Sequence, residues 1–370
     1  MLNALFLNPS VSGGPETYMR GLVPALARER PAAQLTVVTT RAGAAALRRD
    51  GWDEWACVRE FPCEDGQRVR RTWAEQVLLP RLARRDRADV LHSLASLAPL
   101  RPRLPSAITL HDVTFVLHRT FDRITTVGMR EIMRRAARQA DALLAPSAAT
   151  RDEICAVFGL DPAAVAVVPH GAGRRPDVEP MPDWQVRDRH GLAEARPVLC
   201  VAAKRPHKNQ GLLLRALEHL EDDTVVVLAG HAEPYEDELR TQAADLGVKD
   251  RVRFLGFVPD AELEGLWRLA ECAAFPTLGE GFGLPVIEAM SRGVPVACSD
   301  LPVLREVGGG VAHYFTPDDP VAAAAAIEAA RRDVGARTAG PRQAERFTWV
   351  KSARLHWEAY EWALAHHGRT

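Results

Sequence analysis

Residues Gly279 to Glu288 read GEGFGLPVIE and hold the densest set of groups able to handle a charged, hydroxylated ligand. Pro285 stands where a helix would open, shortly after an apolar run that ends at Pro276. The free N–H groups and positive dipole end of such a helix favour an anion. The backbone at Gly283 and Leu284 would meet a phosphate, while the carboxylates of Glu280 and Glu288 would accept hydrogen bonds from sugar and ribose hydroxyls. The G-x-G at Gly279 and Gly281 is not a dinucleotide fingerprint, because its third glycine would have to stand where Leu284 is. No P-loop pattern occurs, and no two aspartates stand two apart, so the D-x-D metal site of many sugar-nucleotide enzymes is absent. No metal and no cofactor are expected.

A second cluster, Lys204, Arg205, His207 and Lys208, follows the apolar run at residues 198–203. Open α/β sheets bind ligands at strand C-termini, and two or three cations there suit a diphosphate. Each cation about 4 Å from a phosphate charge interacts by roughly 4 kcal/mol at an effective dielectric near 20, before desolvation. Two weaker signals lie earlier. NPSVSGGPETY places Gly13, Gly14 and Glu16 after the first apolar run, a turn that would suit close approach of a phosphate. TLHDVTF ends another run with His111 and Asp112, where a histidine can donate to a developing charge or take part in proton transfer. A core histidine would read the same way.

These groups need a frame, and short apolar runs alternate with helical patterns throughout, the signature of an α/β protein with parallel sheets covered on both faces. The first half predicts strands at 3–8, 35–40, 90–92, 107–111, 142–146 and 165–168. After a proline-rich lapse the alternation restarts, with strands at 198–203, 224–229, 252–255, 273–276 and 295–298. Helices are expected at 210–220, 235–246, 260–269, 285–292 and 320–332. The division is a first doubly wound domain over 1–172, a linker over 173–196 and a second doubly wound domain over 197–349. An aromatic-rich C-terminal helix, about 350–370, carries Leu355, Trp357, Tyr360 and Trp362.

The length of 370 residues fits two such domains, and 47% apolar with 26% charged residues excludes disorder, collagen and coiled coil. No run of about 18 apolar residues and no basic leader occurs, so neither a membrane span nor a secretory signal is expected. The cysteines form no C-x-x-C pair and read as reduced core residues of a cytoplasmic protein. The net charge of -1 conceals an asymmetry: up to Ala172 there are 23 Arg and no Lys against 18 acidic residues, and the remainder is acidic. The basic half, with Arg68, Arg70, Arg71, Arg81, Arg84, Arg85, Arg87, Arg130, Arg134, Arg135 and Arg138, is either a solvated face or an attraction to an anionic acceptor or membrane surface. Arg outnumbers Lys 43 to 4, so the two lysines at 204 and 208 carry more information than any surface arginine.

Taken together, Gly13-Gly14 with Glu16, His111-Asp112, Pro206-His207-Lys208-Asn209, the Glu280 to Glu288 motif and LPVLREVGGGVAHYFTPDDP from Leu301 resemble the retaining glycosyltransferases of family 4, of GT-B fold. The resemblance implies two Rossmann-like domains facing a cleft, the second holding a nucleoside-diphosphate sugar and the first an acceptor, with a last helix crossing back to the first. It implies His111 beside the transferred sugar and Lys208 on the diphosphate. Glu280 would take sugar hydroxyls, Glu288 the ribose, and Phe282, Gly283 and Leu284 would present backbone N–H groups. The family's usual arginine near the lysine is missing, so Arg205 or Lys204 is expected in its place. Gly13 and Gly14 join the donor site by the same resemblance, and the base would be read near Gly230 and Phe257-Val258. HDVTFVLH resembles a subgroup rich in mannosyl- and rhamnosyltransferases. The expected reaction is metal-independent, retaining transfer of a hexose to an acceptor hydroxyl, the acceptor being a small metabolite, glycan or lipid and not nucleic acid. A sugar-nucleotide epimerase or hydrolase of the same fold, and a non-catalytic nucleotide-sugar binder, stay open as alternatives.

Overall fold

Strands buried on both faces read as continuous apolar runs, and parallel pairing with helical crossovers is the architecture that buries them so. The computed structural model describes residues 1–8, 13–62, 68–95, 97–117, 123–173 and 178–368. It divides into two units, Met1–Gly171 with Thr348–Thr370, and Ala172–Phe347. No helix among the described residues is long and apolar enough to cross a membrane.

In the first unit the strands are β1 (Leu2–Asn3), β2 (Thr36–Thr39), β3 (Cys57–Glu60), β4 (Leu91–Ser93), β5 (Ser106–Thr109), β6 (Ala142–Ala145) and β7 (Val165–Val167). They lie parallel in the order β3-β2-β1-β4-β5-β6-β7. The order reverses between β1 and β4, the switch point where such sheets open a crevice at the strand C-termini. The helix Gly14–Glu29 buries Tyr18, Met19, Leu22 and Leu26 on one side of this sheet. The C-terminal helix Trp349–His366, capped by Thr348 accepting from Lys351 N at 3.2 Å, joins the same core through Ala353, Ala359, Tyr360 and Ala363. Trp357 Nε1 donates to Leu26 O at 3.3 Å and Arg354 pairs with Glu29 at 2.7 Å, fixing the register of the two helices.

The second unit holds β8 (Arg196–Val201), β9 (Thr224–Ala229), β10 (Val252–Leu255), β11 (Cys272–Phe275), β12 (Val296–Ser299) and β13 (His313–Phe315), in the order β10-β9-β8-β11-β12-β13. These pairs are parallel as well. Its switch point falls between β8 and β11, so the loops leaving those two strands flank one crevice. Those loops carry Lys208 and Glu280.

Several expectations change. The strand expected at 3–8 stops at Asn3, because the Asn3 side chain accepts from Leu5 N at 3.2 Å and Leu7 N turns back to Ala4 O at 3.0 Å. A side chain that satisfies the backbone locally competes with the ladder. The segment 173–196, expected as a linker, contains the helix Asp183–His190 and belongs to the second unit. It buries only Val186 from its own sequence, and Arg189 and His190 converge on Glu262 at 2.6 and 3.0 Å. Pro182 and Gly191 are its caps, so the proline and glycine that read as linker punctuate a helix tied to Glu262 through Arg189 and His190. The chain crosses between units at Gly171–Ala172 and Phe347–Thr348 instead. The short edge strands β3 and β13, with Arg59, Glu60 and His313 in them, show no apolar run and escape sequence reading.

Candidate functional site

The motif at 279–288 is built as its sequence implies. Gly283 takes φ +91°, a left-handed turn that leads into the helix Leu284–Ser291, and a Cβ there would stand 2.7 Å from Leu304 Cδ2. Only glycine fits both demands. Pro285 occupies the first turn, where its missing N–H costs nothing. Phe282 is buried edge-on against Phe347, ring centroids 5.6 Å apart, which anchors the loop.

Lys208 and Glu280 meet: Nζ donates to Oε1 at 2.6 Å, with both side chains about one-fifth exposed. Two devices hold them together. Leu278 N donates to His207 O at 2.8 Å, and the Thr277 hydroxyl lies within reach of the carbonyls of His207 (3.1 Å) and Gly279 (2.9 Å). Asn209, at φ +54°, sends Nδ2 to Pro276 O (3.0 Å) and Pro317 O (2.7 Å). The turn Pro206–Lys208 is therefore stitched to the loop that leaves β11. His207 contributes its carbonyl to this brace. Sequence reading missed Thr277, whose only signal is a hydroxyl at the end of an apolar run.

Arg205 Nη2 donates to Glu233 Oε1 at 2.7 Å and Nε reaches the same oxygen at 3.1 Å. Lys204 corrects the expectation of a second diphosphate cation. It is fully buried, its Nζ donates to Gly230 O at 2.6 Å and to Leu255 O, and Glu236 lies at 3.4 Å. Burial lowers its pKa while Glu236 holds it up. Lys204 thus ties the C-terminal ends of β9 and β10 together and offers nothing to a ligand. Gly230, at φ +141°, lies so close to Ala202 O that no side chain fits. Beyond it, exposed Phe257 stacks on His231 at 5.9 Å and 29°, and Val258 is buried.

Glu288, on the first turns of the helix, is pushed up to a pKa of about 7 by burial, with Arg292 pulling down and Glu264 pushing up. Any Cβ on Gly173 would run into its carboxylate. Arg292 braces the surroundings, donating to Glu264 and to the carbonyls of Glu288 (2.9 Å) and Gly173 (3.1 Å).

His111 and the glycine pair belong to the first unit. His111 Nε2 donates to Leu94 O at 2.7 Å and its Nδ1 faces His170 Nε2 at 3.3 Å. Burial lowers its pKa, against the raising effects of the Leu94 carbonyl and Asp112. With both nitrogens committed to the protein, the ring has no free donor for the proton transfer that the sequence allowed. Asp112 caps the following turn by accepting from Thr114 N at 2.9 Å. Gly13 and Gly14 are exposed, a Cβ on either meets nothing, and the preceding residues 9–12 lie outside the described residues. Glu16 pairs with Arg20 at 2.7 Å. The arginines of the helix Arg123–Gln139 are largely spoken for: Arg134 and Arg135 pair with Glu131, and Arg130 and Arg138 donate to carbonyls of residues 157–159. The side chains of Arg68 and Arg70, with Phe115 and His118 of HDVTFVLH, lie outside the described residues.

Two doubly wound units, one with a lysine, a carboxylate and a glycine-led helix N-terminus at its switch point, define the class of open α/β proteins whose ligand sites lie at the strand C-termini. The family models agree: "Glycosyltransferase Family 4" matches residues 12–172 and "Glycosyl transferases group 1" matches 183–339. The chain belongs to the family 4 glycosyltransferases and has the GT-B fold. It is 34% identical over 185 residues to O-antigen chain mannosyltransferase B of Escherichia coli, covering 48% of each chain. It is 30% identical over 243 residues to the GDP-mannose-dependent alpha-(1-6)-phosphatidylinositol monomannoside mannosyltransferase of Mycolicibacterium smegmatis, 63% of this chain and 61% of that one. The matches span about half to three-fifths of the length of such relatives. Among solved structures, Anabaena HepE in complex with UDP and glucose superposes with TM-score 0.75 at 20% identity, covering 96% of this chain and 97% of that one. Sucrose-phosphate synthase from Thermosynechococcus elongatus superposes at 0.78 and 18% identity, covering 98% of each.

Proposed function

We propose that this chain is a retaining, metal-independent hexosyltransferase that takes mannose from a nucleoside-diphosphate sugar and passes it to an acceptor hydroxyl. The observation that carries this reading is the Lys208–Glu280 pair at the second unit's switch point, beside the helix N-terminus at Gly283 and Leu284. A diphosphate competes with Glu280 for Lys208 and, in taking the lysine, frees the carboxylate to accept hydrogen bonds from sugar hydroxyls. Glu288 accepts from the ribose, and Phe257 on His231 offers the base a flat face. Arg205, paired with Glu233, is the further cation of the same turn. The acceptor oxygen bonds to the anomeric carbon as the bond to the diphosphate breaks. The acceptor proton passes to a departing phosphate oxygen on the same face. Lys208 and the helix N-terminus stabilise the charge that develops there. His111 borders the sugar as a neutral ring, without a proton-transfer role.

The mannosyl donor rests on the named activities of the relatives. The basic first unit suits a phosphate-bearing acceptor or the anionic inner face of a membrane, tested by sedimentation with phosphatidylglycerol vesicles against neutral ones. The reading as a whole is tested by thermal protection. A panel of nucleotide sugars should raise the melting temperature with GDP-mannose foremost. Lys208→Ala should lose that protection, and equal protection in the variant would remove Lys208 from the site.

A further inference from the structure

The first unit contains a run of buried polar side chains that the proposed reaction does not use. Its members are His92, Thr109, Tyr18, His356 and Tyr360, every one at most 5% exposed. Their protons can be placed one after another. Ser352 O can only accept, so His356 Nδ1, 2.7 Å away, carries a proton. Burial holds His356 neutral, with a pKa lowered to about 4, which leaves its Nε2 bare. That nitrogen therefore accepts from the Tyr18 hydroxyl at 2.7 Å. With its single proton spent, Tyr18 Oη accepts from Thr109 Oγ1 at 3.0 Å. Thr109 Oγ1 in turn accepts from His92 Nε2 at 2.9 Å. His92, also driven neutral by burial, keeps a bare Nδ1 that accepts from Tyr360 at 2.7 Å. The chain runs in one direction, starting from Tyr360 and ending at Ser352, so both its ends lie on the C-terminal helix.

Tyr18, in the middle of this chain, is the wall against which His111 rests. The His111 ring meets it edge-on at 4.8 Å and 78°, and His170 packs on it at 4.6 Å. The same logic fixes His111: Leu94 O accepts from Nε2–H, so Nδ1 is bare and takes the proton of His170 Nε2. His170 stacks on Trp349, the first residue of the C-terminal helix, at 6.0 Å and 21°. Trp349 fits because Gly21 and Gly171 have no side chain, and a Cβ on either would run into it.

We propose that this one-way hydrogen-bond chain makes the C-terminal helix a positioning element for His111, with Tyr18, Thr109, His92, His356 and Tyr360 as positioning residues. The proposal rests on the reading of His111 as bordering the sugar. Aligned hydrogen bonds in a low-dielectric interior polarise one another and fix rotamers that packing alone would leave free. Tyr18→Phe removes the central hydroxyl and keeps the ring, leaving Thr109 without its acceptor and His356 without its donor.

Nuclear magnetic resonance of the full chain labelled with 15N-histidine reads the tautomers directly, with signals assigned from single His→Gln variants. The expected spectrum has His356 as the Nδ1–H form, with His92 and His111 as Nε2–H forms. His356 found as the Nε2–H form overturns the chain. Release of GDP from GDP-mannose in water reads the consequence. In Tyr18→Phe the proposal expects kcat to fall about tenfold, with KM for GDP-mannose within about twofold, as for a group that orients without binding. An unchanged turnover per folded molecule, with only a lower melting temperature, overturns positioning. His111→Ala separates the two ideas. If it loses turnover and Tyr18→Phe does not, the positioning claim alone is wrong; if it retains turnover, the reading of His111 fails and the positioning claim goes with it.

Discussion

If Glu288 accepts from the donor's ribose, as proposed, donor binding depends on pH with a definite sign. Its carboxyl is pushed up to about 7 because it is shut in against the Gly173 backbone and the Glu264 carboxylate, with Arg292 offsetting part of the cost. If ribose hydroxyls donate to it, the ligand binds the ionised form, and binding expels a proton wherever the free protein holds one. Affinity then follows the ionised fraction, so lowering the pH from about 7.5 to about 6 weakens binding about eightfold. GDP-mannose is the ligand to use, because its diphosphate diester has no proton that titrates in this range. Calorimetry near neutral pH, in two buffers of different ionisation enthalpy, should show release of about half a proton. Glu288→Gln should flatten the pH profile, and Gly173→Ala should weaken binding at every pH by driving a methyl group into the carboxylate. An affinity that is flat from pH about 6 to about 8, with identical heats in both buffers, would falsify ribose binding by Glu288.

Further outcomes follow from the same geometry. On the proposed function, in which Glu280 contacts the reacting sugar, Glu280→Gln should lower transfer about a hundredfold while leaving the melting temperature near wild type; activity within about threefold of wild type would exclude Glu280 from the site. Glu75 is raised to about 7 by burial, with Asn3 donating to it at 2.5 Å. The folded state there holds a proton that the unfolded state gives up, so its contribution to stability falls as pH rises from about 4.5 to about 7. Glu75→Gln should gain about 3 kcal/mol at high pH and nothing at low pH, which denaturant unfolding at the two extremes would show. Excess chelator should leave turnover unchanged, and activity lost to chelator but restored by magnesium or manganese would point to a metal on the diphosphate.

The parts of this protein that sequence reveals are those where local chemistry and fold agree. Gly283 and Pro285 can be read as a helix start because left-handed backbone and a missing N–H are tolerated in few other places. Lys208 stands out because lysine is scarce in this chain. Lys204 looked equivalent to it four residues earlier, yet its fate is decided by the carbonyls of Gly230 and Leu255, which only the pairing of β8, β9 and β10 brings near. The same holds for Glu233 beside Arg205 and for Thr277 beneath the Lys208 turn. The buried histidines at 92 and 356 are 264 residues apart in the chain, so no spacing rule could join them through Tyr18. The helix Asp183–His190 escapes sequence reading because it buries only Val186 and has no apolar stripe of its own, its contacts running through Glu262.

The central claim is retaining transfer of mannose from its nucleoside diphosphate, and it can be tested before any acceptor is known. Concentrated protein incubated with GDP-mannose carrying 13C at the anomeric carbon should release GDP and free mannose, with water as the acceptor, and chelator present throughout. Magnetic resonance at early times, before the anomers equilibrate, should show α-mannose appearing first, and Lys208→Ala should abolish the signal. β-Mannose appearing first, or donor left intact by wild type across a full panel of nucleotide sugars, would contradict the account.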